Sequence, residues 1–320
     1  MTIALFLVIY IYFRLIGLGN VNPDELLALL SGEKPLLTII MLLILPKINV
    51  PMNHLVTYRV ALLVFVLCYS YQLLNGVARP SVFEENNIEL MGLFVYWIYA
   101  ARLSRKKIDH LLLGYVVTIS GSITASVVFL VIVGAIFLTE QRRKFIVAGF
   151  IFSALIVSYL LYDRSISSIN NVDRYHYVVS ALSSMAEQGS VVTSIFGFPA
   201  ATAVPEAVCE LSPWKRTDAG ICYSNAFQLS WARILWDHGI LGVMLVAWLY
   251  YKSLIWRGLG QSSSRLIFII AMIGGFSVSG VGNTYAAIAV AMIIMFRDKR
   301  GRNTDQASNG RSKFYRGHYT

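Results

Sequence analysis

Long apolar runs alternate with short polar breaks from one end of this chain to the other. A membrane span needs roughly 20 mostly apolar residues, or about 17 at the short end. Set against the polar breaks, the pattern predicts helices near 3–18, 35–46, 57–75, 89–103, 108–120, 122–139, 145–162, 239–255, 266–279 and 282–296. The expected fold class is therefore an all-α polytopic membrane protein with about 10 transmembrane helices. Two pairs are tight, 108–139 and 266–296. Each breaks at small residues, Ser120-Gly121-Ser122 and Ser279-Gly280-Val281-Gly282-Asn283. Short, broken helices are tolerated where protein or a water-filled cavity covers the backbone, so re-entrant hairpins fit these stretches as well as full crossings do. The first run, Met1 to Gly19, lacks a basic start and a small-residue cleavage site. It is expected to be a span rather than a signal peptide.

Composition agrees with the pattern. Hydrophobic residues make up 57% of the chain and charged residues 14%, with a mean hydropathy of +0.63. Soluble domains average about 25% charged. The formal net charge of +10 would suit a nucleic-acid binder, but the basic residues sit in short loops and a polar tail. That is where the positive-inside rule places them, and no nucleic-acid partner is expected. With both termini cytoplasmic, 19 of the 27 lysines and arginines fall inside, among them Lys47, Arg59, Arg105, Lys144, Arg257 and Arg265. Of the 17 acids, 13 fall outside. A membrane domain over 1–296 with external loops 75–88 and 163–238, followed by a basic, disordered cytoplasmic tail over 297–320, describes the organisation. The tail suits lipid headgroups.

The external segment 163–238 is the largest soluble piece. It carries Cys209 and Cys222, while Cys68 lies inside an apolar run. The outside is oxidising, and a disulfide closing a loop of about 14 residues contributes roughly 3 kcal/mol in the chain-entropy model. Cys209 and Cys222 are the expected pair.

No metal or nucleotide signature is present. The histidines are scattered, and there is no HExxH, P-loop, GxSxG or external Asp-x-Asp. Neither metal nor cofactor is expected. Ionisable residues inside spans usually mark ion or substrate paths; the span interiors are nearly free of charge, Arg14 excepted, and this argues against a carrier. The charges that invite chemistry lie outside. The short loop reads Arg79-Pro80-Ser81-Val82-Phe83-Glu84-Glu85-Asn86-Asn87. The large one contains Asp163-Arg164, Asp173-Arg174-Tyr175-His176, Phe196-Gly197-Phe198, Trp214-Lys215-Arg216-Thr217-Asp218, Ser224-Asn225, Trp231-Ala232-Arg233 and Asp237-His238-Gly239-Ile240-Leu241-Gly242. Aromatics stack on sugar faces while carboxylates and amides bind hydroxyls. Arginine suits phosphate because its planar fork donates two parallel hydrogen bonds.

In this order the segments resemble the polytopic O-antigen ligase and O-antigen or capsule polymerase superfamily (the Wzy/WaaL type). The carrying motifs are the loop Arg79 to Asn86, the break Ser120 to Ser122, Arg174 followed by Phe196-Gly197-Phe198, and Ser224-Asn225 followed by Asp237 and Gly239-Ile240-Leu241-Gly242. The family's arginine at the small-residue break is missing. Ser224 stands where ligases carry a histidine, which favours a polymerase. The resemblance implies metal-independent glycosyl transfer on the external face of the bacterial inner membrane, from a polyprenyl-diphosphate-linked oligosaccharide donor to an acceptor of the same kind. A chain-length regulator and a flippase are the implied protein partners. Arg79, Arg174, Arg164 and Arg216 are then candidates for the diphosphate. His176, Asp173, Asp218, Asp237 and Glu85 are candidate bases, and Asn86, Ser224, Asn225, Trp214 and Arg233 candidate substrate contacts. An O-antigen ligase and a flippase or transporter of lipid-linked sugar are the alternatives.

Overall fold

The computed structural model describes residues 2–16, 23–77, 79–83, 86–101, 107–138, 173–188, 190–217, 219–276 and 280–298. The expected span at 145–162 and the tail beyond residue 298 lie outside them. The described chain is almost wholly helical: α1 (Thr2–Ile16), α2 (Pro23–Gly32), α3 (Lys34–Ile44), β1 (Ile48–Met52), α4 (His54–Leu74), α5 (Asn86–Ala101), α6 (Lys107–Ile119), α7 (Ile123–Leu138), α8 (Asp173–Gln188), α9 (Val191–Phe196), α10 (Glu206–Leu211), α11 (Ser230–Trp256), α12 (Gln261–Gly274), α13 (Thr284–Met295) and β2 (Phe296–Asp298). Single 3-10 turns occupy Pro213–Lys215, Ser224–Ala226 and Gly280–Gly282. The short strands β1 and β2 pair in parallel.

Among the described residues, α4 and α11 are long and apolar enough to cross a membrane; the other apolar helices are shorter. Helix α4 carries two apolar faces. Leu55, Tyr58, Leu62, Phe65 and Tyr69 are buried, and Val56, Val60, Leu63, Leu67 and Leu74 are exposed, each set at steps of three, four or seven residues. A soluble helix would be polar on its outer face. An exposed apolar stripe of this length suits contact with an apolar surface, lipid or protein, rather than water.

Helix α5 lies at the centre, buried on every face from Glu89 to Ile98. Its Gly92 lets α13 approach so closely that a Cβ there would stand 2.9 Å from the Tyr285 carbonyl oxygen. Helices α6 and α7 have 13 and 16 residues, about 20 and 24 Å at 1.5 Å per residue, against a hydrocarbon core of about 30 Å. They turn back on each other at Gly121, whose φ is +61°. Accordingly Phe129 packs against Gly114, on the far side of the turn. The turn satisfies its own polar groups: Ser120 Oγ donates to the Val117 carbonyl, and Ser122 Oγ accepts from the Ala125 N–H.

The loops gather at two opposite ends of the bundle. At one end Arg257 donates to the Leu45 carbonyl, His54 to the Phe296 carbonyl, and Arg59 grips the Asp109 carboxylate with 2.8–3.1 Å bonds. At the other, Asn283 Nδ2 donates to the Ile88 carbonyl at 2.9 Å, Gly282 touches Lys34 and Pro35, and Arg233 reaches Ser31. Residues 173–238 cover this second end with a separate apolar core built on Tyr177, Met185, Val208, Phe227 and Trp236. Cys209 and Cys222 are disulfide-bonded within it, with Cα atoms 5.7 Å apart. Tyr177 joins its Oη to Ser212 Oγ and donates to the Leu211 carbonyl.

Candidate functional site

Helix α11 enters the bundle through a break at Gly239, where φ is +64°. Any side chain at 239 would collide with the Ile195 carbonyl, and any at Gly197 (φ +85°) with the backbone of Asp237 and His238. The two glycines therefore let the cap's backbone lie directly on the break. A broken helix leaves carbonyls without partners, and here both are used. The Trp236 carbonyl accepts from the Phe198 N–H at 2.8 Å, and the Asp237 carbonyl accepts from Arg14 at 2.5 Å. Phe198 and Trp236 stack, with ring centroids 4.1 Å apart.

Around the break stands a buried cluster of ionisable groups. Arg14 Nε lies 3.2 Å from Glu33 Oε1, an ion pair by distance but without an aligned hydrogen bond. His238 Nδ1 lies 2.9 Å from Tyr10 Oη and 3.1 Å from Arg14. Since a guanidinium only donates, Nδ1 is the acceptor. The imidazole proton is then on Nε2, which faces Glu33 Oε2 at 3.5 Å. Burial pushes the Glu33 carboxyl up to about 7; Asp237 adds to the rise and the Arg14 guanidinium opposes it. The Asp237 carboxylate rests on Gly32, where no side chain would fit, and is hydrogen-bonded by Ser224.

Beside this cluster opens a cleft of about 550 Å³, walled by Ser31, Lys34, Lys215, Asn225, Gln228, Ser230, Arg233 and Thr284, with Leu30, Pro35, Leu37 and Ile88 as its apolar part. Among the described residues three cations line it and no carboxylate does. Arg233 is fully engaged by the protein: Nε donates to the Ser224 carbonyl, Nη1 to the Ser31 carbonyl and hydroxyl, and Nη2 to the Asn225 and Phe227 carbonyls. It fixes the cleft wall and contributes charge rather than hydrogen bonds. The Asn225 Oδ1, by contrast, is buried with no partner. On the opposite face of the same first stretch of α11, a wholly apolar groove of about 450 Å³ is lined by Leu182, Leu229, Trp231, Leu235, Met244 and Phe276 among others.

Of the residues singled out in the sequence, the structure brings together Ser224, Asn225, Arg233 and Asp237. Arg79 is exposed in the short loop and lines neither cavity. That loop is pinned from behind instead: the Val82 and Phe83 N–H groups donate to Glu89, and Ser81 pairs with Gln72. Arg216 is engaged on the surface by Glu206. His176 is exposed on α8. Arg164, Glu85 and Asp218 lie outside the described residues, as do the side chains of Asp173, Arg174, Asn86 and Trp214. Lys34 and Gln228 at the cleft, and Tyr10 and Glu33 behind it, stand outside the residues singled out; Lys215 and His238 lie in the quoted segments without an assigned role. The lone charge of Arg14 was the one available signal, because a charge in an apolar run needs a partner.

No protein-family model, curated protein or solved structure matches the chain.

Proposed function

We propose that the chain is a glycosyltransferase of the bacterial inner membrane that polymerises polyprenyl-diphosphate-linked oligosaccharide repeats on the external face. In this reading it has about ten spans and both termini in the cytoplasm. The observation that carries it is the cleft lined by Lys34, Lys215 and Arg233, with no carboxylate among its described residues, at the end of the bundle that the charge distribution assigns to the outside. An acceptor hydroxyl oxygen attacks the anomeric carbon of the donor, and the bond from that carbon to the diphosphate oxygen breaks. The electron pair leaves with polyprenyl diphosphate, and the hydroxyl proton passes to a base. Fixed cations stabilise the charge that develops on the leaving group, and Asp237, hydrogen-bonded by Ser224 beside the cleft residue Asn225, is the base we assign. Two lipid-linked substrates must meet, and the two faces of α11 offer one charged and one apolar recess.

Purified protein given lipid-linked repeats should lengthen the glycan and release polyprenyl diphosphate without nucleotide or divalent metal. A hydrogen bond to a charged group is worth about 1.5–3 kcal/mol, so Lys34→Ala and Lys215→Ala should each slow the reaction roughly 10- to 100-fold. A double variant polymerising at the parental rate would sink the reading. One observation favours a carrier instead: Arg14 is not alone, but buried with Glu33, Asp237 and His238. In a carrier, proteoliposomes would move a fluorescent lipid-linked sugar across the bilayer without any glycan elongation.

A further inference from the structure

The end of the bundle opposite the cleft holds a second cavity, of about 350 Å³, between the ends of α3, α11 and α13 and the start of α12. Lys47 and Arg257 line it, Tyr99 and Ser263 add hydroxyls, and Ile293 and Ile294 form an apolar wall; no carboxylate among the described residues contributes. Gly258, at φ +89°, turns the chain tightly beside Lys47. Arg257 is held by its bond to the Leu45 carbonyl, while its buried Nε has no acceptor. Among the described residues, no carboxylate pairs with Lys47 or Arg257. Two unneutralised cations, an orphaned buried donor and an apolar wall in one recess call for an anion with a hydrocarbon tail attached.

We propose that this cavity binds the phosphate of an anionic phospholipid at the cytoplasmic surface, with the acyl chains against the apolar wall. Basic pockets between helices on that side suit such headgroups. The inference rests on the membrane reading but not on glycan polymerisation, which the test does not measure. Full-length protein in detergent would be titrated with short-chain phosphatidylglycerol, with phosphatidylcholine of the same chains, and with inorganic phosphate alone. Bound lipid is counted by native mass spectrometry and stability followed by tryptophan fluorescence. Phosphatidylglycerol should bind more tightly than phosphatidylcholine. Each cation removed should weaken it roughly fivefold, the equivalent of about 1 kcal/mol. Lys47 is exposed, so Lys47→Gln reads this without disturbing the fold; Lys47→Gln/Arg257→Gln should erase the preference. Equal binding of the two lipids, or full preference retained in Lys47→Gln, overturns the proposal. So does inorganic phosphate binding as tightly as the lipid, which would assign the site to the free ion.

Discussion

Arg14 and Glu33 illustrate what single residues decide here. Side-chain exposure is 12% for Arg14 and 1% for Glu33, so neither ion has water to fall back on. Above about pH 7, where both are ionised, removing one partner of a buried pair costs about 3–5 kcal/mol, because the other is left uncompensated. Arg14→Leu and Glu33→Leu should each lower the melting temperature sharply, and Arg14→Leu/Glu33→Leu should recover much of the loss. Additive losses would show that the pair is not coupled. Glu33 also sets a pH dependence. Its carboxyl titrates near 7 in the fold against 4.5 when exposed, so its contribution to stability is full below about 4.5 and lost as pH rises through about 7. Arg14, Asp237 and His238 face it. The melting temperature should therefore fall from pH 5 to pH 8, and less steeply in Glu33→Gln; identical slopes would exclude Glu33 as the cause. The sequence displayed Arg14 as a lone charge in an apolar run. Its partners stand on α11 and before α3, and no local pattern connects positions so far apart. Asp237, Ser224, Asn225 and Arg233 were legible through their place before a Gly-Ile-Leu-Gly stretch, although Arg233 proves to be a brace engaged by five protein contacts.

At the scale of elements, hydropathy located the described apolar helices because burial in protein and burial in lipid demand the same side chains. It could not measure them. Helices α6 and α7 are short, and their reversal depends on backbone geometry at Gly121 that composition only hints at. The cap was still less legible, since its core is assembled from Tyr177, Val208, Phe227 and Trp236, scattered over sixty residues of mixed polarity. The Cys209–Cys222 bond, with the Val204 N–H donating to the Cys222 carbonyl, ties the Val204–Leu211 region to the turn that carries Ser224. Closing a loop of this size contributes roughly 3 kcal/mol. Cys209→Ser/Cys222→Ser should leave the helical bundle folded while limited proteolysis opens the cap between Pro199 and Asn225. Equal protease resistance in the variant would mean that the apolar core alone holds the cap. Because Lys215 sits inside that stretch and Asn225 at its end, the same variant should lose activity in step with its protease sensitivity.

For the molecule as a whole, the two ends of the bundle carry different chemistry. One collects Lys47, Arg59, Arg257 and the β1–β2 pair; the other collects the Ile88 loop, the Ser31–Lys34 turn, the Gly280–Gly282 turn and the cap. Counting lysines and arginines assigns the first set of loops to the cytoplasm and the second to the outside. That count uses no distances, and the packing uses no charges. Their agreement supports the division of the described loops into two groups; which group faces outside rests on the charge count alone. Cysteines placed on a Cys68→Ser/Cys209→Ser/Cys222→Ser background in intact and permeabilised cells test it directly. Val77→Cys and Lys215→Cys, both exposed, should react with an impermeant maleimide in intact cells. Lys47→Cys, at the other end and also exposed, should react only after permeabilisation. Labelling of Lys215→Cys only after permeabilisation would place the charged cleft in the cytoplasm. Lipid-linked repeats presented outside would then have no access to it, and the polymerase reading would fall with the orientation.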